Sequence, residues 1–179
     1  MDFPKAETLG SRIMICGPSN SGKSTLARAL ERRLGLPAVY LDLLRHLPNT
    51  NWKQRPDQDF EALHAEAIAG DRWVIEGNYS RMFPQRLARA TGIMLLGDEP
   101  WHSLFRYARR TLVETGHRAG QLEGGEDRLN WQMVRWIMIA QPPKRGQIRS
   151  ALAQSGLPMV EPASMRELKG LYEAWGLER

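Results

Sequence analysis

The stretch that decides the fold is Gly17-Pro18-Ser19-Asn20-Ser21-Gly22-Lys23-Ser24-Thr25. It fits the pattern G-x-x-x-x-G-K-[ST], in which a glycine-rich loop joins a strand to a helix. Glycines let successive backbone N–H groups curl around a phosphate, and the following helix points its positive end at the same anion. Lys23 is suited to the β- and γ-phosphates of a nucleotide, and the Ser24 hydroxyl is suited to Mg²⁺. We therefore predict that every residue of this loop except Pro18 contributes to a nucleotide-phosphate site.

Short apolar runs alternate with helical patterns on both sides of the loop. This alternation is typical of βαβ units and predicts an α/β fold with a mainly parallel sheet. The predicted strands are 12–16, 38–41, 72–75, 92–96 and a last one near 157–160. The predicted helices cover about 23–34, 57–69, 81–90, 100–115, 126–140 and 144–154, and a final helix follows a capping box at 164–167.

Length and composition limit the class of protein. The chain has 179 residues, 42% of them hydrophobic and 25% charged, which indicates one globular domain spanning 1–179. No apolar stretch approaches the ~18–20 residues of a membrane-spanning helix. The N-terminus lacks the apolar run of a secretion signal, so we expect a cytoplasmic protein with no membrane partner. The single cysteine, Cys16, excludes an internal disulfide and is expected to be a small buried hydrophobe.

Acidic residues follow three of the predicted strands. They are Asp42, Glu76 and Asp98, and ligands of a parallel sheet bind beyond the carboxyl ends of its strands. We assign Glu76 to the support of Mg²⁺ together with Ser24. Asp42 is better placed to orient an acceptor or to take a proton from it. The alternative for each acid is a cap of the next helix, and this alternative is strongest for Asp98.

The third predicted strand continues into Gly77-Asn78-Tyr79. Glycine lets the backbone approach a ligand, and the next two residues supply an amide and a phenol. We assign these three residues, with Asp42, to an acceptor pocket; a plain tight turn is the alternative.

The positive charge is concentrated in one segment. Residues 101–150 hold nine Lys and Arg against four Asp and Glu, whereas the rest of the chain balances. Helix 100–115 is expected to carry an apolar stripe that includes Trp101, Leu104, Phe105, Ala108 and Leu112, with Arg106 and Arg110 on the opposite side. Helix 126–140 is expected to bury Leu129, Met133, Trp136, Ile137 and Ala140, with Arg128 and Arg135 on another face.

A glycine-rich connection, 116–125, joins these two helices. Phosphoryl transfer needs several cations, which a closing lid can deliver while it excludes water. We therefore predict a helical lid at about 106–135 in which the four arginines Arg106, Arg110, Arg128 and Arg135 are catalytic. The alternatives are a solvated basic face, or a DNA-binding face on which Trp131 stacks bases. Direct binding of nucleic acid is the less favoured of these interpretations.

The chain resembles a known family in several of these motifs. The phosphate loop, Tyr40-Leu41-Asp42 and Val74–Ser80 are similar to the adenylate kinase-related DNA topology modulation proteins, and the resemblance continues at 109–112, 134–137 and 164–168. It implies a three-layer P-loop NTPase fold with a five-stranded parallel sheet, of the nucleoside monophosphate kinase type, and it implies ATP and Mg²⁺. The family name implies a link to DNA supercoiling. Glu76 stands where the family often has Asp, which leaves direct and water-mediated contact with Mg²⁺ both open.

The resulting functional expectation is an ATP-dependent phosphotransferase. It would move the γ-phosphate of Mg-ATP to a small acceptor, for which a nucleotide or nucleoside is the first choice. The chain has neither the Asn-Lys-x-Asp guanine reader nor the Leu-Ser-Gly-Gly-Gln signature, so we expect neither a GTPase nor a transporter ATPase. The alternative is a nucleotide-binding regulator with slow ATPase activity that contacts DNA or protein.

Overall fold

The computed structural model of the chain describes residues 3–113, 119–124 and 130–178. Its centre is a five-stranded parallel sheet with the order β2-β3-β1-β4-β5. The strands are β1 (Arg12–Cys16), β2 (Ala38–Tyr40), β3 (Trp73–Glu76), β4 (Gly92–Leu95) and β5 (Met159–Val160). The helices are α1 (Lys23–Leu34), α2 (Leu41–Arg45), α3 (Asp57–Ala69), α4 (Phe83–Leu87), α5 (Pro100–Val113), α6 (Trp131–Arg135), α7 (Pro142–Ala153) and α8 (Met165–Trp175). Short 3₁₀ turns lie at Ala6–Leu9 and Ser80–Met82.

Helices cover both faces of the sheet, as the apolar character of its central strands requires. On one face, buried side chains of β1 pack with Leu30 of α1 and Leu171 of α8. On the other face, Met14 and Cys16 pack with Phe83 of α4 and with Leu152 of α7. The three-layer α/β prediction is therefore confirmed, and Cys16 is fully buried as expected.

The register of the sheet brings the predicted site residues to one edge. Glu76, the last residue of β3, lies opposite Ile15 of β1 and opposite Tyr40 of β2. The loops that follow these three strands therefore leave the sheet side by side. The phosphate loop follows β1, Asp42 follows β2, and Gly77 follows β3.

The apolar stripe of α5 does not face the core. Trp101, Phe105 and Leu112 are 70%, 68% and 68% exposed, and α5 buries Ser103 and Tyr107 instead. The 3.6-residue period predicts that these apolar residues share one face of the helix. The period does not predict whether that face packs against the protein or points to solvent. The opposite face is held against the protein by polar contacts: Ser103 Oγ donates to Asp98, and the Tyr107 hydroxyl accepts from the backbone N–H of Asn130, both at 2.9 Å.

The next helix is also shorter and less buried than predicted. Asn130 caps it by accepting a hydrogen bond from the backbone of Gln132, so α6 begins at Trp131 and then continues as a π-helical turn over Trp136–Ala140. Of the expected stripe, Ile137 is buried, but Met133 and Trp136 are more than a third exposed. The assignment of Trp136 to the core was therefore wrong, and Leu129 lies outside the described residues.

The capping box before α8 is confirmed, because Ser164 Oγ accepts a hydrogen bond from the backbone N–H of Glu167 at 3.2 Å. Among the described residues, no helix combines the length and the apolar character needed to cross a membrane.

Candidate functional site

The phosphate loop curls between β1 and α1. Gly17 and Gly22 have φ angles of +149° and +89°, which favour glycine, and a side chain at Gly17 would meet the carbonyl oxygen of Leu96 at 2.7 Å. The Lys23 ammonium donates to the carbonyl of Pro18 at 2.8 Å, which folds the lysine back over its own loop. The loop thus has the cradle shape that the sequence motif predicts.

A hydroxyl–carboxylate pair lies where α1 begins. Ser24 Oγ donates to Glu76 Oε1 at 3.0 Å. Glu76 is 3% exposed, and burial raises the pKa of its carboxyl, while the Lys23 ammonium nearby opposes the shift. Hydroxyl and carboxylate oxygens are the ligands that Mg²⁺ prefers, so the two residues fit a magnesium ion beside the phosphate loop.

A second pair of polar groups lies one strand further along the sheet edge. Asp42 stands in the first turn of α2, and its Oδ1 accepts a hydrogen bond from the Tyr79 hydroxyl at 2.6 Å. Burial, and then the charge of Asp42, raise the pKa of Tyr79 far above its ordinary value. The phenol therefore remains a donor at any physiological pH. Asp42 itself is exposed, so its carboxylate is open to a ligand.

Asn78 connects the two loops. Its Oδ1 accepts from the backbone N–H of Gly17, and its Nδ2 donates to the carbonyl of the same residue, both at 3.0 Å. The amide that we assigned to the acceptor pocket is thus engaged with the start of the phosphate loop.

The third acid, Asp98, holds the base of α5 against the phosphate loop. It is buried, accepts a hydrogen bond from Ser103 Oγ at 2.9 Å, and forms an ion pair with Arg106. Arg106 also donates through Nε to the carbonyl of Asn20 at 2.7 Å. Asp98 therefore serves the local structure, which was the stronger alternative from the sequence.

The glycine-rich connection lies close to the Ser24–Glu76 pair. A side chain at Gly120 would stand 2.9 Å from the Tyr40 ring and 3.3 Å from Ser24 Oγ, and Gly120 has a φ of +70°. The neighbouring Leu122 is buried, and the carbonyl of Glu123 accepts from the backbone N–H of Asn49 at 2.7 Å. The described part of this connection, 119–124, thus packs over the edge of the site.

The structure places the four predicted lid arginines in different surroundings or does not describe them. Arg106 contacts the phosphate loop, and Arg135 is exposed at the end of α6. The Arg110 side chain and the whole of Arg128 lie outside the described residues. The structure therefore places one of the four at the phosphate loop, and the catalytic role of the set remains a prediction.

Two contacts in the site were not predicted from the sequence. Gln141, at the start of α7, accepts a hydrogen bond through Oε1 from the backbone N–H of Ser19 at 3.0 Å. Arg86 is fully buried and donates to the carbonyls of residues 77–79. Both side chains contact backbone groups, and no spacing in the sequence indicates such contacts.

A cavity of about 300 Å³ adjoins the phosphate loop on the side of β4 and α7. Its walls are mainly apolar and include Pro18, Leu96 and Ile148, while Asn78 and Arg145 add polar groups. The cavity is large enough for part of a small molecule that reaches the loop.

Comparison with known protein families shows the family to which the chain belongs. Residues 13–111 match the AAA domain family, and because this match covers more than half of the chain, the chain belongs to that family. No curated protein sequence matches the chain significantly.

Two solved structures are similar over nearly the whole chain. A gluconokinase from Sinorhizobium meliloti 1021 is 19% identical, with coverage of 94% of this chain and 95% of that chain and a TM-score of 0.52. A shikimate kinase from Bacteroides thetaiotaomicron is 18% identical, with coverage of 92% and 97% and a TM-score of 0.49. The likeness to the gluconokinase shows that the two chains share a fold.

Proposed function

We propose that the protein is an ATP-dependent phosphotransferase that moves the γ-phosphate of Mg-ATP to a hydroxyl group of a small acceptor. One observation carries this proposal. Two carboxylates lie at the carboxyl ends of neighbouring strands, and each has its own hydroxyl partner: Glu76 has Ser24, and Asp42 has Tyr79. The first pair suits the metal of a nucleotide, and the second leaves an exposed carboxylate for another substrate. A gluconokinase shares the fold, which accords with a kinase that acts on a small molecule.

At the phosphate end, the chain binds and neutralises charge. The backbone N–H groups of the loop and the Lys23 ammonium would hold the phosphates, while Ser24 and Glu76 would hold Mg²⁺. Bound Mg-ATP supplies the phosphoryl group and a metal that screens its charge. Lys23 must leave the carbonyl of Pro18 to reach a phosphate, a movement that its flexible side chain allows.

At the acceptor end, the chain orients a hydroxyl group and provides a base. The exposed oxygens of Asp42 would accept a hydrogen bond from that hydroxyl, and the carboxylate can take its proton as the oxygen becomes a nucleophile. Tyr79 donates to Oδ1 and thereby fixes the direction of the carboxylate. Gly77, with a φ of +129°, lets the backbone pass close to Leu41 beside this point.

The acceptor class that we propose first is a nucleotide or nucleoside. The test is a panel of nucleotides, nucleosides, sugar acids and other hydroxyl metabolites, incubated with Mg-ATP and examined for a phosphorylated product by mass spectrometry. Lys23→Ala should abolish transfer and weaken ATP binding in calorimetry, whereas Lys53→Ala, which removes an exposed lysine elsewhere, should change neither. A folded Lys23→Ala protein with undiminished affinity for ATP would remove the basis of the proposal.

The second candidate is the nucleotide-binding regulator that contacts DNA. Trp131 is 79% exposed and Trp101 is 70% exposed, both in the segment that carries the excess of positive charge. Such a surface could stack bases and follow a phosphate backbone. Affinity for DNA that decreases linearly in log[salt], and that Trp131→Ala weakens, would favour this candidate.

A further inference from the structure

Arg86 occupies an unusual position for an arginine. It lies in the last turn of α4, and its side chain is fully buried. The guanidinium donates hydrogen bonds to three consecutive backbone carbonyls, those of Gly77 at 2.8 Å, Asn78 at 2.6 Å and Tyr79 at 3.0 Å. All three belong to the loop that follows β3.

A buried cation normally pairs with a carboxylate. Among the described residues, no carboxylate forms an ion pair with Arg86, although the Glu76 carboxylate is near enough to interact with its charge. The ring of Phe83 lies 5.0 Å from the guanidinium carbon. Burial lowers the pKa of Arg86 to about 10, which still leaves it charged at neutral pH. The charge is therefore compensated by carbonyl dipoles, and these converge because the loop bends around the guanidinium.

The loop needs such a support. Tyr79 has a φ of +28°, a conformation that costs a residue with a side chain free energy and persists only where the surroundings impose it. Gly77 has a φ of +129°, which glycine adopts readily. Without the guanidinium, the buried carbonyl of Gly77 and the half-buried carbonyl of Asn78 would lose this donor, which is itself unfavourable. The Tyr79 carbonyl would keep the backbone N–H of Met82 at 2.8 Å.

The same three residues carry the contacts that join the two halves of the site. The Asn78 side chain makes both of its hydrogen bonds with Gly17 of the phosphate loop, and the Tyr79 hydroxyl holds the Asp42 carboxylate. We propose that Arg86 is a positioning residue: by fixing the 77–79 backbone, it sets Asn78 against the phosphate loop and Tyr79 against Asp42. The part of this inference that concerns turnover rests on the proposed function, whereas the part that concerns geometry does not.

The test compares Arg86→Lys with Arg89→Lys. Lysine keeps the charge but lacks the planar fork that reaches several carbonyls at once. Arg89 is the matched control, because it also donates to backbone carbonyls, those of Ala69 and Gly70, but these lie away from the site. Both variants are first compared with the wild type in thermal unfolding.

The geometric readout is the ionisation of Tyr79, followed by tyrosinate absorbance and assigned by subtraction of a Tyr79→Phe protein. In the wild type and in Arg89→Lys, this tyrosine should not titrate near the ordinary value of about 10. In Arg86→Lys it should, because the phenol leaves Asp42 and becomes hydrated. A folded Arg86→Lys protein in which Tyr79 titrates as in the wild type would overturn the proposal.

Turnover gives a second readout. Arg86→Lys should lower phosphate transfer about 10²-fold, as expected when reacting groups move by about 1 Å, while Arg89→Lys keeps wild-type turnover. In a Tyr79→Phe background the cost of Arg86→Lys should shrink, because part of it acts through Tyr79. Fully additive costs would contradict the proposal.

The outcomes separate the two hypotheses. If the wild type phosphorylates no member of the acceptor panel, the proposed function fails, and the Tyr79 titration still decides the role of Arg86. If Arg86→Lys does not fold, wild-type protein with ¹⁵N-labelled arginine provides the test. The guanidinium near the Phe83 ring should then show slow rotation and slow hydrogen exchange, and fast values would overturn the proposal.

Discussion

The substitution Glu76→Gln should weaken Mg²⁺ binding without destabilising the fold, so it tests the proposed metal role of Glu76. Glutamine has nearly the same shape and keeps an oxygen that can accept the hydrogen bond from Ser24. It loses only the negative charge. If Glu76 holds Mg²⁺ directly or through water, the affinity for Mg²⁺ in the nucleotide complex should decrease about 10–100-fold, the usual effect of losing such a partner. This corresponds to about 1.4–2.8 kcal/mol.

The same substitution should not destabilise the protein at neutral pH. Because burial raises the pKa of Glu76 in the folded state, the charged form is worse accommodated there than in the unfolded chain. The stability of the wild type relative to Glu76→Gln should therefore decrease as the pH rises from below the unfolded pKa to above the folded one. The variant is expected to be at least as stable as the wild type above that range, and to bind Mg²⁺ less well.

The assay is a titration of Mg²⁺ at fixed ATP, followed by calorimetry and by turnover at several pH values. Wild-type affinity for Mg²⁺ should fall as the pH drops through the raised pKa of Glu76. The variant should keep only the pH dependence that protonation of ATP itself causes. Glu173→Gln is the control, because it removes an exposed carboxylate that pairs with Lys169 far from the site. Equal dependence on Mg²⁺ and pH in the wild type and in Glu76→Gln would refute the assignment.

Three further substitutions test other parts of the site. Asp42→Asn should lower phosphate transfer about 10²–10⁴-fold with little change in ATP affinity, because it removes a base and not a phosphate contact. Equal losses of transfer and of ATP affinity would show that Asp42 supports the metal or the fold instead. Gly120→Ala should reduce turnover, since its Cβ would stand 3.3 Å from Ser24 Oγ at a positive φ, whereas Gly146→Ala, which meets nothing within 4 Å, should be harmless or slightly stabilising. Gln141→Ala should raise ATP affinity in calorimetry by freeing a loop amide, and reduced affinity would show that the contact supports the loop instead.

The sequence predicted those parts of the site that depend on strand ends. The phosphate loop has a fixed spacing, and an acid at the end of a parallel strand must lie at one edge of the sheet. Because β2 and β3 pair in parallel, the register sets Glu76 beside Tyr40 and brings Asp42 near it. These inferences needed only local patterns and the rule that parallel strands end together.

Contacts between side chains and the backbone could not be predicted from the sequence. Arg86 is one of twenty arginines, and nothing in its spacing distinguishes it from Arg81, which instead forms exposed ion pairs with Asp57 and Glu61. The prediction for the buried face of α5 was wrong for a related reason. An apolar stripe predicts which residues share a face, but the ion pair of the buried Asp98 with the half-buried Arg106 turns the other face of α5 toward the phosphate loop.

The predicted lid at 106–135 is attached to the phosphate loop on both sides. On its N-terminal side, Arg106 donates to the carbonyl of Asn20. Just beyond its C-terminal side, Gln141 accepts from the backbone N–H of Ser19, the residue next to Asn20. Two adjacent residues of the loop, Ser19 and Asn20, thus contact the two ends of the segment. A phosphate that accepted a hydrogen bond from the Ser19 amide would displace Gln141 but would leave the Asn20 carbonyl with Arg106. If the proposed function is right, a nucleotide on this loop would therefore weaken the contact on the α7 side and keep the contact on the α5 side.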